Sequence, residues 1–330
     1  MPRRVTMTYK VLLPQPIMKE GRDYLLSKGY EIVDGRGISE QDIINDIHDC
    51  DAIIVRTPKI TEKIFDAAPK LKVIARHGAG YDGVDLESAK KNNVMVVYAP
   101  GANSVSVAEL VIFYMLYCSR NFKLVQKTYI DDYFYAKLKT KKNELYGKTL
   151  GLIGIGNIGS LVAEKASLGL GMNVIAFDPF AKRENLPDYI KLLDNRDTIF
   201  TDSDYVSLHV PATKDTINSV STREFELMKE TSFLINTARG TIVDEDALYK
   251  ALINKQIAGA ALDVMKEEPV NIDNPLLVLD NVLTAPHIGA ATEEASSRSS
   301  LFCAIGIDDY LNGRVPKYIV PEMRDMLINI

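Results

Sequence analysis

The stretch Gly154-Ile155-Gly156-Asn157-Ile158-Gly159 constrains the fold most, because of what stands on either side of it. The apolar run from Lys148 to Ile153 reads as a strand, and Ser160 to Leu168 reads as a helix. A second strand, Asn173 to Phe177, ends in Asp178, nineteen residues beyond Gly159. Strand, glycine turn, helix, strand and acid make up a dinucleotide-binding βαβ unit. The first two glycines permit a tight turn and let bare backbone approach a pyrophosphate. Gly159 lets the helix pack close to the sheet, and the helix N-terminus offers unpaired N–H groups to an anion. A glycine turn alone is weak evidence; the two strands and the acid give it weight. Asp178 can accept the adenosine ribose hydroxyls and would repel a 2′-phosphate, which favours NAD over NADP. Read alone, it is also a turn former or helix cap beside Pro179. Lys182 and Arg183 keep NADP as the lesser alternative.

The unit sits mid-chain, so something substantial precedes it. Strand-like and helix-like segments alternate almost throughout, which calls for parallel sheets with crossover helices. Before the glycine turn, strands are expected at Lys10–Leu13, Tyr30–Val33, Ala52–Arg56, Val73–Arg76 and Val94–Val97. Around and after it they are expected at Leu150–Ile153, Val174–Phe177, Tyr205–Leu208, Phe233–Asn236, Gly259–Leu262 and Val282–Thr284. The second set is a six-strand doubly wound pattern. Long helices flank it, one opening near Asn103, where Ser106 and Glu109 have capping-box spacing, the other from about Glu293 to Leu311 before Asn312-Gly313. The tail from Val315 is too short for another domain and is expected to pack back on the first. The reading is a two-domain α/β chain. Residues 1–102 with 288–330 form a discontinuous flavodoxin-like domain, and 103–287 form a Rossmann doubly wound nucleotide-binding domain. The segment Lys127–Asn143 shows no clear period and reads as an excursion toward a partner subunit.

A chain of 330 residues has room for two proper cores. Its net charge of -5 argues against nucleic acid or an anionic membrane as the main partner. Cys50, Cys118 and Cys303 are scattered without metal spacing, so reduced thiols and no metal site are expected. Arg3-Arg4 is followed by no apolar export segment, and Met7 is an alternative start. The longest apolar run is too short to span a bilayer. The expectation is a cytoplasmic protein.

In an open parallel sheet, ligands bind beyond the carboxyl ends of the strands. Those ends read Gly154, Gly156 and Gly159, then Asp178, His209-Val210-Pro211, Asn236-Thr237-Ala238-Arg239-Gly240, Asp263, and Pro286-His287-Ile288-Gly289-Ala290. One polar strand end is chance; six in a row look like the edge of a cleft. A histidine there can supply the proton that hydride transfer to a carbonyl requires. Glu268 follows the preceding strand and can reach it, holding its tautomer; taken alone, it reads as loop charge. Arg239 can bind a carboxylate bidentately and polarise its neighbouring carbonyl, with a surface ion pair the even alternative. In the first domain, His77-Gly78-Ala79-Gly80 offers backbone N–H groups to a carboxylate, or is a plain turn. His77 reads as structural. Arg56, at the end of its strand, is suited to a further anionic group or to a surface role.

Together these motifs resemble the D-isomer-specific 2-hydroxyacid dehydrogenases, from about Lys10 to Val320. Within that family the chain looks most like the 3-phosphoglycerate dehydrogenase branch, through Ile54-Val55-Arg56-Thr57, Arg76 to Gly80, and Gly101 to Glu109. The resemblance implies NAD as cofactor and a 2-hydroxy or 2-oxo acid as substrate. It implies Arg239 as substrate clamp, Glu268 and His287 as acid/base pair, and Ala79 and Gly80 as donors to the substrate carboxylate. Cofactor contacts map to Asn157, Ile158, Asp178, Val210, Thr237, Ala238, Asp263, His287, Ile288, Gly289 and Ala290. It also implies a homodimer or homotetramer joined through the nucleotide domains. Two features depart from relatives. No tryptophan is present, and Tyr133-Phe134-Tyr135 stands where many carry a Gly-x-Trp element. The long regulatory extension of some phosphoglycerate dehydrogenases is not in this sequence, so feedback of the serine type through it is expected to be missing. Lys137, Lys139, Lys141 and Lys142 read as a solvated face rather than a phosphate site. Hydroxypyruvate or glyoxylate is the alternative substrate. A regulatory NAD-responsive protein, like the corepressors of this fold, is the alternative of another class.

Overall fold

In the computed structural model, which describes residues 8–329, two parallel sheets form in two separate units. Arg3, Arg4 and Met7 lie outside the described residues. One unit comprises the chain up to Asn103 together with residues from Ala290 onward; the other is Ser104–Gly289. Among the described residues, no helix is long and apolar enough to cross a membrane.

The first unit contains β1 (Lys10–Leu13), β2 (Glu31–Asp34), β3 (Ala52–Val55), β4 (Val73–Arg76) and β5 (Met95–Tyr98). They are ordered β2-β1-β3-β4-β5, the flavodoxin-like order. β3 reads Ala-Ile-Ile-Val and is buried along its whole length, as a strand covered on both faces must be. The helix Glu293–Leu311 returns to this unit, packing on the helix Lys19–Ser27 and on β4 and β5. The approach is close at Gly21, where an added Cβ would lie 2.5 Å from the Ser300 carbonyl oxygen. Thr292 caps the returning helix by accepting the Ala295 amide, and Asn312 and Gly313, the latter at φ +69°, end it. Val97 bridges Ile319, so the tail does lie against this sheet.

The second unit contains β6 (Thr149–Ile153), β7 (Asn173–Phe177), β8 (Ile190–Leu192), β9 (Tyr205–Leu208), β10 (Phe233–Asn236), β11 (Gly259–Leu262) and β12 (Val282–Thr284). The order is β12-β11-β10-β9-β6-β7-β8. The six-strand expectation therefore falls one short. β8 takes the third place of the dinucleotide-fold order, on the sheet edge. It is three residues long and only Ile190 of it is buried, which leaves no alternating pattern to read. Two apolar clusters cover the two faces: Val206, Leu208 and Leu234 on one, Leu150, Leu152 and Ile235 on the other.

One further expectation gives way. The first long helix spans Ser104–Ser119, so Ser106 is inside it and cannot act as its cap. The segment after it, which has no clear period, holds a helix at Phe122–Tyr129 and a π-helical turn at Tyr135–Lys139. Lys142 donates to the carbonyls of Ala136, Lys137 and Thr140, closing that turn.

Candidate active site

Strand register sets the site. Ile153 pairs with Phe177 and Leu208, Asn236 with Leu208 and Leu262, and Leu262 with Thr284. The next residues, Gly154, Asp178, His209, Thr237, Asp263 and Ala285, therefore stand in one row along the carboxyl edge. The strand order reverses between β6 and β9, which is where such sheets bind ligands.

The glycine turn has the geometry its sequence requires. Gly154 adopts φ +93°, and a Cβ there would lie 2.7 Å from the His209 carbonyl oxygen. A Cβ on Gly159 would lie 2.4 Å from the Gly154 carbonyl oxygen, so this glycine lets the helix Asn157–Glu164 sit against the turn. Gly156 precedes that helix without any side-chain cap, and nothing lies within 4 Å of where its Cβ would be. Uncapped amides facing open space suit a pyrophosphate. Asp178 accepts the Ile155 amide at 3.0 Å and the Phe180 amide at 2.9 Å, which combines the turn-former role with lone pairs to spare. Asn157 is exposed and Ile158 half-buried at the helix start. Arg183 is tied to the carbonyls of Leu186 and Pro187 and to Asp188.

His209 packs beneath this turn. Its Nε2 is 2.9 Å from the Ser207 hydroxyl, and burial pushes its pKa down to about 4. It is thus a neutral imidazole supporting the turn, while Val210 and the exposed Pro211 continue the rim. At the end of β10, Asn236 binds its own turn, accepting the Ala238 amide and donating to the Arg239 carbonyl. The Thr237 hydroxyl oxygen is buried without a partner. An orphaned hydroxyl on this row, together with the open cradle at Gly156, fits a bound dinucleotide.

Arg239 follows directly and donates one Nη1 hydrogen bond to the Ala238 carbonyl at 2.7 Å. Gly240 is required by packing: a Cβ there would lie 2.0 Å from the Met265 carbonyl carbon. Glu268 accepts the Met265 amide at 3.3 Å through one oxygen, and its other oxygen is 2.8 Å from His287 Nδ1. Burial favours the neutral form of Glu268. The hydrogen bond and charge of His287, with the Met265 amide and the Arg239 charge, outweigh it and hold the carboxyl below its usual range. Arg239, Glu268 and His287 therefore come together. With Nδ1 engaged, Nε2 of the half-exposed His287 is the ring nitrogen left for a substrate.

Asp263 was expected at a cofactor. Its carboxylate is 1% exposed and turned toward the histidine turn, accepting the amides of Ile288 at 2.9 Å and Gly289 at 2.8 Å. Tyr114 and Ser207 support the site without having been singled out in the sequence.

In the first unit, Arg56 donates to the Pro16 carbonyl at 2.9 Å. Ala79 and Gly80 are half-buried in the turn after β4, where Gly78 has φ +145°. His77 is 2.8 Å from the Ser300 hydroxyl, and burial with the nearby Arg56 charge brings its pKa down to about 4, which agrees with a structural role. Ala290 opens the returning segment. Among the described residues, no cluster of His, Cys, Asp or Glu could hold a metal ion.

Residues 112–289 match the family model described as D-isomer specific 2-hydroxyacid dehydrogenase, NAD binding domain. The chain is 40% identical over 306 residues to a D-3-phosphoglycerate dehydrogenase of Archaeoglobus fulgidus; the match covers 92% of this chain but 58% of that protein. It is also 40% identical over 294 residues to a hydroxypyruvate reductase of Thermotoga maritima, covering 88% of this chain and 94% of the relative. Among solved structures, the cofactor (NAD+)-bound 3-phosphoglycerate dehydrogenase of Entamoeba histolytica superposes with a TM-score of 0.80 at 29% identity. That superposition covers 95% of this chain and 98% of that one.

Proposed function

The chain belongs to the D-isomer-specific 2-hydroxyacid dehydrogenase family, and from that premise we propose that it transfers hydride between NAD(H) and a D-2-hydroxy acid or its 2-oxo counterpart. The single observation that carries this reading is the 2.8 Å Glu268–His287 pair beside Arg239 on the carboxyl edge of the sheet. Ser104–Gly289 acts as the NAD-binding domain and the other unit as the substrate domain.

When bound, NAD would be held by the 154–159 turn, Asp178 and the Thr237 hydroxyl and would supply the hydride acceptor or donor. The chain's own residues do the rest. Arg239 binds the substrate carboxylate and polarises the adjacent carbonyl. His287 delivers a proton from Nε2 to the carbonyl oxygen in reduction and removes it in oxidation. Glu268 fixes the imidazole tautomer through Nδ1 and supports its charged form. Arg56, Ala79 and Gly80 are assigned to substrate contact. The preferred substrate is 3-phosphoglycerate, which the identity to the Archaeoglobus relative supports. The equally high identity to a hydroxypyruvate reductase supports hydroxypyruvate or glyoxylate as the second reading.

We assign a homodimer or homotetramer, supported by exposed Phe113, Leu116, Phe122, Phe134 and Leu138 on the second unit. A cytoplasmic setting fits three free cysteines. The decisive experiment is NADH oxidation with 3-phosphohydroxypyruvate, hydroxypyruvate, glyoxylate and pyruvate. Turnover of at least one supports the reading. Tight NADH binding with no turnover across the panel overturns it in favour of a regulatory protein.

A further inference from the structure

His287 holds a backbone conformation, φ +55°, that a side chain other than glycine adopts at a cost. Something must hold it there. Asp263 accepts three successive amides from this turn: His287 through its carbonyl at 2.7 Å, and Ile288 and Gly289 through its two carboxylate oxygens. The fit is close, since a Cβ on Gly289 would lie 3.0 Å from the Asp263 carboxylate and 3.3 Å from Val107. The same carboxylate accepts a fourth donor, the Tyr114 hydroxyl, at 3.3 Å.

Tyr114 lies in the helix Ser104–Ser119, whose other buried side chains are apolar or small. It is 1% exposed. A phenylalanine would fill that space equally well, so packing does not account for the hydroxyl. Burying a hydroxyl is unfavourable unless it is hydrogen-bonded, and a buried carboxylate needs donors on both oxygens. Burial and the Asp263 charge push the phenol above its usual range, so it remains a donor.

We propose that Tyr114 is a positioning residue for the acid/base pair, its hydroxyl fixing the Asp263 carboxylate that holds the 287–289 backbone. The link rests on the reading of His287 as acid/base. It gives Asp263 a role directed at the histidine turn, and it joins the interior of a core helix to the reacting edge of the sheet.

The test is a cycle of Tyr114→Phe, Asp263→Asn and the double variant in the full chain, with amide hydrogen exchange as a second readout. Tyr114→Phe is expected to lower kcat about three- to tenfold, the worth of one hydrogen bond, with KM for the 2-oxo acid within about twofold. In the Asp263→Asn background the same change is expected to have no further effect. Exchange should quicken at the Ile288 and Gly289 amides of Tyr114→Phe and stay unchanged along β11. Losses that multiply in the double variant would overturn the proposal. So would a lower melting temperature with unaltered kcat and unaltered exchange at 288 and 289. If the wild-type chain reduces no 2-oxo acid, the reaction reading fails. The exchange comparison then still decides whether Tyr114 holds the turn.

Discussion

Asp178 reaches back twenty-three positions to accept the amide of Ile155, joining the acid of the dinucleotide unit to the glycine turn it serves. Its other oxygen closes its own turn through Phe180, so one side chain shapes the cradle and presents lone pairs at the rim. Asp178→Ala removes both functions. NADH affinity should fall about 10- to 100-fold, the worth of one or two hydrogen bonds to a charged group. Preference for NADH over NADPH should narrow. Fluorescence titration with both cofactors measures this, and an unchanged NADH affinity would show that the acid serves only the fold.

His287→Gln should lower kcat by about 10²- to 10⁴-fold, the usual contribution of general acid–base catalysis, while NADH binds within a few-fold of wild type. Near-normal turnover with the preferred substrate would falsify the assigned role. Glu268→Gln should give a smaller loss in the same direction, because the amide can still accept from Nδ1 but carries no charge to support the imidazolium.

Arg56→Ala separates the two substrates. A phosphate-binding Arg56 predicts a selective rise in KM for 3-phosphoglycerate of about tenfold or more, on the scale of a lost charge-assisted hydrogen bond, with hydroxypyruvate little affected. Equal changes for both substrates would remove the phosphate role.

Gly240→Ala tests backbone packing next to the clamp. The new Cβ would meet the Met265 carbonyl carbon at 2.0 Å, a clash that only backbone movement can relieve. The expected cost is about 3 kcal/mol or more, with substrate affinity falling together with stability because Arg239 is the adjacent residue. A melting temperature equal to wild type would mean that the turn has more room than it displays.

His77 and His209 make stability fall on the acid side of neutrality. Both have folded pKa values near 4, lowered chiefly by burial, against about 6.5 in an unfolded chain. The unfolded state therefore binds protons first as pH drops. Stability present above about pH 6.5 is lost as pH falls toward 4, by up to about 3 kcal/mol for each imidazole. Urea unfolding at pH 7.5, 6 and 5 measures the slope. His209→Gln should flatten it for Ser104–Gly289, and an unaltered slope would exclude His209 as a source.

The strands were legible wherever an apolar run ended in a residue with chemistry to do, as in Phe233–Asn236 before Thr237 and Val73–Arg76 before His77. β8 was not, because an edge strand buried at one residue leaves no period to read. Ser106 misled because capping-box spacing also occurs inside helices, and the helix had begun at Ser104. Arg239, Glu268 and His287 could be picked out because each follows a strand whose end faces the ligand edge. Tyr114 could not, since its partner lies 149 residues further along the chain and its own surroundings read as core.

The return of the helix Glu293–Leu311 to the first sheet has a consequence in time. β5 is complete at Tyr98, yet the helix that covers β4 and β5 begins about 195 residues later. At about 5–20 residues per second, ribosomal synthesis leaves that face of the sheet bare for roughly 10 to 40 seconds. Throughout that interval a nascent chain with five strands laid down carries an uncovered apolar surface, and a helix made only after the whole second unit is the one that closes it.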